Sequence, residues 1–323
     1  MSADGRPGPL PAPYHAALAD GPEDGRAVWL RTADGVRVRV VLWGADTPGR
    51  TPKGTILLFP GRTEYAEKYG RAAGEMLARG YVTVSIDWRG QGLADRLLDN
   101  HLLGHVERFR DYQHDVDALR DFVVGAGLPG PCYLLGHSMG GCIGLRALMD
   151  GLPVAAVGFT GPMWGIRMAS HMRPVAWTLS TLSRATGRTG TLTPGQIDET
   201  YVLRAPFAGN ALTSDEASWT WMQDHLRTVP DLALGGASLG WLNAALREMR
   251  ALARLPSPDL PCVTVVGANE SIVDTARIEH RMARWPRGEL IRVPGAGHEI
   301  MMETAATRTL LYDRLDALFS GVR

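Results

Sequence analysis

Short, uniformly apolar runs alternating with amphipathic stretches constrain this chain more than any other feature. The runs at 55–59, 81–86, 132–135, 154–159, 262–266 and 290–293 have the length and side-chain content of buried strands. Helical periodicity fills the gaps at 65–79, 109–124, 139–150, 274–284 and about 302–319. The alternation predicts an α/β fold with a mostly parallel central sheet and helices on both faces. Residues 36–43 differ. Val36, Val38, Val40 and Leu42 fall on one side, which predicts a half-buried antiparallel strand.

The alternation stops between 162 and 256, where the pattern is helical without clear strands. A stretch that long is not a simple loop and predicts a helical cap or lid. The core is then 27–161 with 257–323, and the polar, proline-containing residues 1–26 are expected to be a flexible lead-in. Trp164, Trp177, Trp219, Trp221 and Trp241 fall in the insertion with Met163, Met168, Met172, Met222 and Met249. They build either its packing seam or the wall of an apolar tunnel.

Composition narrows the function classes. Lys+Arg and Asp+Glu both number 34, so zero formal charge gives no electrostatic footing for nucleic acid. No apolar stretch approaches the ~18 residues of a membrane span, and the start of the chain lacks an apolar signal core, so a cytoplasmic protein is expected. Peripheral contact with the inner membrane face stays open. Cys132, Cys142 and Cys262 each lie in apolar surroundings and read as buried thiols. No metal-ligand spacing and no dinucleotide fingerprint is found, so no cofactor is expected. Nothing in the sequence sets an oligomeric state.

Chemistry enters at Gly136-His137-Ser138-Met139-Gly140, between the strand at 132–135 and a helix that starts at once. A serine on such a turn has its hydroxyl pushed out above the sheet, with free helix N–H groups behind it. Gly236-Ala237-Ser238-Leu239-Gly240 fits the same letters but lacks a preceding strand, so Ser138 is the expected nucleophile. Serine needs a base oriented by a carboxylate, in the chain order Ser, acid, His. His280 lies mid-helix, whereas His298 lies in the glycine-rich loop after the last strand and is the expected base. Glu270 and Asp274 compete for the acid. Glu270 is favoured because Asp274 is explained by capping the next helix. The amides of Met139 and Arg62 are the expected oxyanion donors. The Arg62 side chain is expected in a salt bridge or in solvent.

These stretches resemble the α/β-hydrolase-fold serine hydrolases, in particular the bacterial lysophospholipase and monoacylglycerol lipase branch. The resemblance rests on Phe59-Pro60-Gly61-Arg62-Thr63-Glu64-Tyr65, Asp87-Trp88-Arg89-Gly90-Gln91-Gly92, the run 136–141, and Gly295-Ala296-Gly297-His298-Glu299. Gly104-His105-Val106-Glu107-Arg108-Phe109 and Thr160-Gly161-Pro162-Met163 look like the lysophospholipase side. It covers about 35–165 and 258–320. Many members carry His-Gly where this chain has Pro60-Gly61, and Asp where it has Glu270. The resemblance implies a serine carboxylic-ester hydrolase acting on monoacyl lipids through an acyl-enzyme. The alternatives are a small-molecule esterase, thioesterase or aminopeptidase on the same scaffold, and a non-catalytic ligand-binding module.

Overall fold

The computed structural model describes residues 9–322 apart from 48 and 50. Its strands are β1 (Leu10–Pro11), β2 (Arg26–Arg31), β3 (Arg37–Trp43), β4 (Thr55–Phe59), β5 (Val82–Asp87), β6 (Cys132–His137), β7 (Val157–Thr160), β8 (Cys262–Gly267) and β9 (Gly288–Val293). Its helices are α1 (Ala16–Ala19), α2 (Gly70–Ala78), α3 (Tyr112–Gly125), α4 (Met139–Met149), α5 (Met172–Ala185), α6 (Tyr201–Arg204), α7 (Glu216–Thr228), α8 (Leu239–Leu252), α9 (Thr275–Met282) and α10 (Ala305–Ser320). The strands form one sheet in the order β1-β2-β3-β5-β4-β6-β7-β8-β9. From β5 to β9 the pairings are parallel, and β1, β2 and β3 join antiparallel at one edge.

Successive residues of β4 serve opposite faces, as the pleat requires. Leu57 and Phe59 pack with α3 and α4, while Ile56 and Leu58 pack with α2 and α10. Burial on both faces explains why these strands read as continuous apolar runs.

Two expectations are corrected here. β3 is buried on both faces rather than half-buried. Its second face carries Arg39, which is fully enclosed because Glu67 and Asp87 neutralise it at 2.6 and 2.8 Å. The described part of the expected lead-in is tied down rather than flexible. Leu10–Pro11 pairs with β2, Pro13 O accepts from Arg39 at 2.8 Å, and Tyr14 Oη accepts from Trp43 Nε1 at 2.7 Å. The rest of that segment, 1–8, lies outside the described residues.

Between β7 and β8 the chain passes through α5, α6, α7 and α8. The α8 helix sits on the main core, where Trp241, Ala245 and Met249 join the α4 cluster and Glu248 pairs with Arg146. Among the described residues, no helix is long and apolar enough to cross a membrane.

Candidate active site

Only Ser138 separates the end of β6 from the start of α4. That reversal forces Ser138 to φ 49° and ψ −116°. Such a conformation costs about 1–3 kcal/mol and persists only where the surroundings impose it. Here Ser138 N donates to Thr160 O at 3.0 Å, and its carbonyl accepts from Met163 N at 2.8 Å. Gly140 presses against β4 so closely that a Cβ would overlap the Phe59 carbonyl oxygen. Any larger residue would push α4 off the sheet and lower the serine.

His298 arrives on the loop after β9 and Glu270 on the loop after β8, so the groups meet at the carboxyl ends of the parallel strands. His298 Nδ1 lies 2.6 Å from Glu270 Oε2, and Nε2 lies 2.9 Å from Ser138 Oγ. An ionised carboxylate only accepts, so Nδ1 carries the proton and Nε2 is left to accept from the serine hydroxyl. Glu270 Oε1 accepts from the amides of Ile272 at 2.6 Å and Val273 at 3.1 Å, which fixes the carboxylate. Burial works against its charge. The hydrogen bond and charge of His298, with those two amides, outweigh burial and hold the Glu270 carboxyl below its ordinary range.

Asp274 stands apart from this chain of contacts. It precedes α9 but makes no side-chain cap, which corrects the capping expectation. Its carboxylate pairs with Arg173 at 2.9 Å and Arg277 at 3.5 Å, and these cations draw it from the helix amides. His280 is exposed on α9.

The second serine also meets a histidine and an acid, but with the two ring nitrogens exchanged. Ser238 Oγ lies 2.7 Å from His105 Nδ1, and His105 Nε2 lies 3.2 Å from Glu107 Oε1. Ser238, however, is fully buried at an ordinary φ of −74° and caps α8 by accepting from Trp241 N at 3.1 Å. Its neighbours line the cavity described below, but Ser238 does not.

Among the described residues, neither the Met139 nor the Arg62 amide N–H has a protein acceptor. The loop carrying Arg62 is held from below. Glu64 accepts from Gly61 N, the Tyr69 hydroxyl and the Lys68 ammonium. Lys68 Nζ also lies 2.7 Å from Glu299 Oε1. Gln91 Nε2 donates to Gly61 O at 2.8 Å, and Trp88 Nε1 to Pro60 O at 2.9 Å. His137 completes the cluster, its ring centroid 4.9 Å from that of His298. Its Nδ1 lies 3.0 Å from Thr160 O, while Nε2 sits 3.3 Å from Glu299 Oε2, off the axis of a hydrogen bond. Burial pushes the His137 pKa down, but Glu299 and Glu64 push harder, and the net direction is up. Glu64, His137 and Glu299 are the group among the described residues spaced to hold a cation, and the Lys68 ammonium already sits against both carboxylates. Sequence reading missed this cluster. Its only signals were the Glu64–Lys68 spacing of four and the position of Glu299 beside His298.

Arg62 overturns the expectation for its side chain. It has no carboxylate partner and is half-buried rather than out in solvent. Nη2 donates to Gly235 O at 2.7 Å, Nε is buried without a partner, and the guanidinium lies over Trp241 at 5.2 Å. Desolvation pushes its pKa down to about 10.

Ser138, His298 and Arg62 open into a cavity of about 690 Å³. Met163, Met168, Met172, Met222 and Trp241 line it, together with Ile166, Val175, Leu179, Leu226 and Leu234. Trp164 and Trp219 serve packing instead. Met163, Met222 and Trp241 both pack in the core and line the cavity, so the two readings overlap. Met172, Val175, Leu179 and Leu182 recur on one face of α5 and are 40–54 % exposed, so the apolar wall continues onto the surface.

A family model described as serine aminopeptidase, S33 matches residues 50–305. Lysophospholipase L2 of Escherichia coli strain K12 is 32% identical over 293 residues, covering 86% of this chain and 82% of the relative. The crystal structure of a soluble variant of monoglyceride lipase from Saccharomyces cerevisiae, in complex with a substrate analogue, superposes with a TM-score of 0.69. That match has 21% identity and covers 90% of this chain and 94% of that one. A thermostable carboxyl esterase from Bacillus coagulans superposes with a TM-score of 0.70 at 18% identity, covering 92% and 98%.

Proposed function

This chain belongs to the serine aminopeptidase S33 family of α/β-hydrolase-fold enzymes, and on that premise we propose that it hydrolyses the ester of a monoacyl lipid through an acyl-enzyme on Ser138. Ser138 Oγ attacks the ester carbonyl as His298 Nε2 takes its proton. The developing imidazolium is stabilised by Glu270 across the 2.6 Å contact to Nδ1. The free amides of Met139 and Arg62 donate hydrogen bonds to the oxyanion. His298 returns the proton to the leaving alcohol, and water, deprotonated by the same ring, then releases the fatty acid.

One observation carries the reading: the Ser138–His298–Glu270 chain opens into a cavity walled by methionine and aliphatic side chains. An acyl chain matches that wall. The name lysophospholipase L2 borne by the Escherichia coli relative supports the same substrate class. The family description raises aminopeptidase action as the rival, and that chemistry needs a free carboxylate for the substrate ammonium. Of the acids of the cavity wall, Glu64 and Glu299 are buried and engaged by Lys68, and Glu199 is exposed.

The reading extends to location. The exposed apolar face of α5 runs into the cavity and suits entry of a chain from a lipid surface. Residues 162–256 then act as the cap that selects the substrate. Three free cysteines agree with a reducing cytoplasm, where the enzyme meets lipid at the inner membrane face.

A chain-length series of glycerol esters, with an aminoacyl amide included, tests the proposal. Cleavage that peaks at long acyl chains is the expected result. Efficient cleavage of the amide with little action on lipid esters would sink it.

A further inference from the structure

Taking the ester-hydrolase reading as given, we propose that the Arg62 guanidinium recognises the phosphate of the substrate head group, so that the preferred monoacyl lipids are phosphate esters rather than neutral glycerides.

Arg62 is a cation with unused capacity. A guanidinium offers five N–H donors, and Arg62 directs one nitrogen to Gly235 O while its buried Nε donates to nothing. Of the four buried arginines among the described residues, three are neutralised, whereas Arg62 is half-buried. Arg39 faces Glu67 and Asp87, Arg89 faces Asp34 and Asp115, and Arg146 faces Glu248. Arg281 also lacks a carboxylate, but it bonds Leu252 O and Ser257 Oγ and is not part of the cavity wall. Arg62 is in that wall; Arg167 and Arg204 also line it but are exposed, whereas Arg62 is half-buried beside Trp241.

No acid competes for it. Glu64 and Glu299 are bound to Lys68, and Glu199, the remaining acid of the wall, is exposed. The Trp241 ring takes one face of the guanidinium, and Nη1, which has no protein acceptor, is left for an anionic oxygen. A phosphate oxygen can accept a charge-assisted hydrogen bond from Nη1.

Placement gives the second argument. The Arg62 amide is a proposed oxyanion donor, and the guanidinium hangs from the same residue. In a glycerophospholipid, the ester and the phosphate are likewise held together by a short glycerol. With the ester carbonyl at the amide, the phosphate is brought to the side chain and the acyl chain is left to the apolar wall.

Binding of two non-hydrolysable ligands of equal chain length tests this without relying on turnover. Dodecyl phosphate and 1-O-dodecylglycerol are titrated calorimetrically into wild type, Arg62→Met and Arg62→Lys. Wild type should prefer the phosphate by about tenfold or more, as a charge-assisted hydrogen bond implies. Arg62→Met should erase the preference, and Arg62→Lys should keep part of it. A preference intact in Arg62→Met, or equal weakening of both ligands in both variants, would overturn the proposal. Inorganic phosphate binding as tightly as dodecyl phosphate would also overturn it, since the site would then serve a free anion. A wild-type preference for phosphate without any cleavage of lauroyl esters would end the ester reading and leave the Arg62 assignment standing.

Discussion

Lys68 Nζ lies 2.7 Å from Glu299 Oε1, and this contact links the loop that carries Arg62 to the residue next to His298. The two halves of the site, one from β4 and one from β9, are therefore joined by a buried ammonium.

Removing that ammonium leaves Glu64 and Glu299 buried with only the His137 imidazole between them as a counter-charge. Lys68→Met should cost about 3–5 kcal/mol of stability, because breaking a buried pair strands its partners. The melting temperature measured by calorimetry should fall accordingly. A melting temperature equal to that of the wild type would show that the carboxylates are neutralised some other way.

The two serines give opposite expectations. Ser138→Ala should abolish fluorophosphonate labelling and lower kcat by about 10⁴-fold or more. Ser238→Ala should keep labelling and instead lose about 1 kcal/mol with its helix cap. Labelling read on a gel beside urea unfolding separates the effects. Labelling that survives Ser138→Ala would remove the proposed nucleophile.

Glu270→Gln and Asp274→Asn divide the same way. The amide at 270 cannot hold His298 in the required tautomer, and kcat should fall by roughly 10³–10⁴-fold. Asp274→Asn touches only Arg173 and Arg277 and should change kcat less than about threefold, as an ordinary surface change does. Steady-state assays on one ester decide this, and the reverse ranking would reassign the acid.

His137 gives a pH signature. Its pKa in the fold is raised above the ordinary histidine value, so its charge stabilises the protein fully below about pH 6.5. That contribution is lost as pH rises through the elevated value. Urea midpoints measured across neutral to alkaline pH should drop more in wild type than in His137→Gln. Parallel curves for the two proteins would remove His137 as the source.

The serine turn and the loops after β8 and β9 were legible because each is a local pattern, an apolar run followed by glycine and a polar group. The long insertion was legible as a break in that pattern. The strand β2 and the burial of β3 were not. Arg26 to Arg31 and Arg39 read as surface, and only partners distant in sequence, Glu67 and Asp87, make Arg39 an interior residue. Arg62 failed for the opposite reason. Most arginines find an acid or water, and nothing local to residues 60–65 indicates that this one finds Gly235 and Trp241 instead.

The hydrogen bond from Arg62 to Gly235 O reaches from the loop after β4 into the segment that leads to α8. On the proposed roles of Arg62 and the insertion, selectivity and turnover share a single fastening, and the insertion is not an interchangeable module. A graft that imports another cap has to carry its own counterpart of residues 60–65, or the transplanted enzyme will change its rate along with its diet.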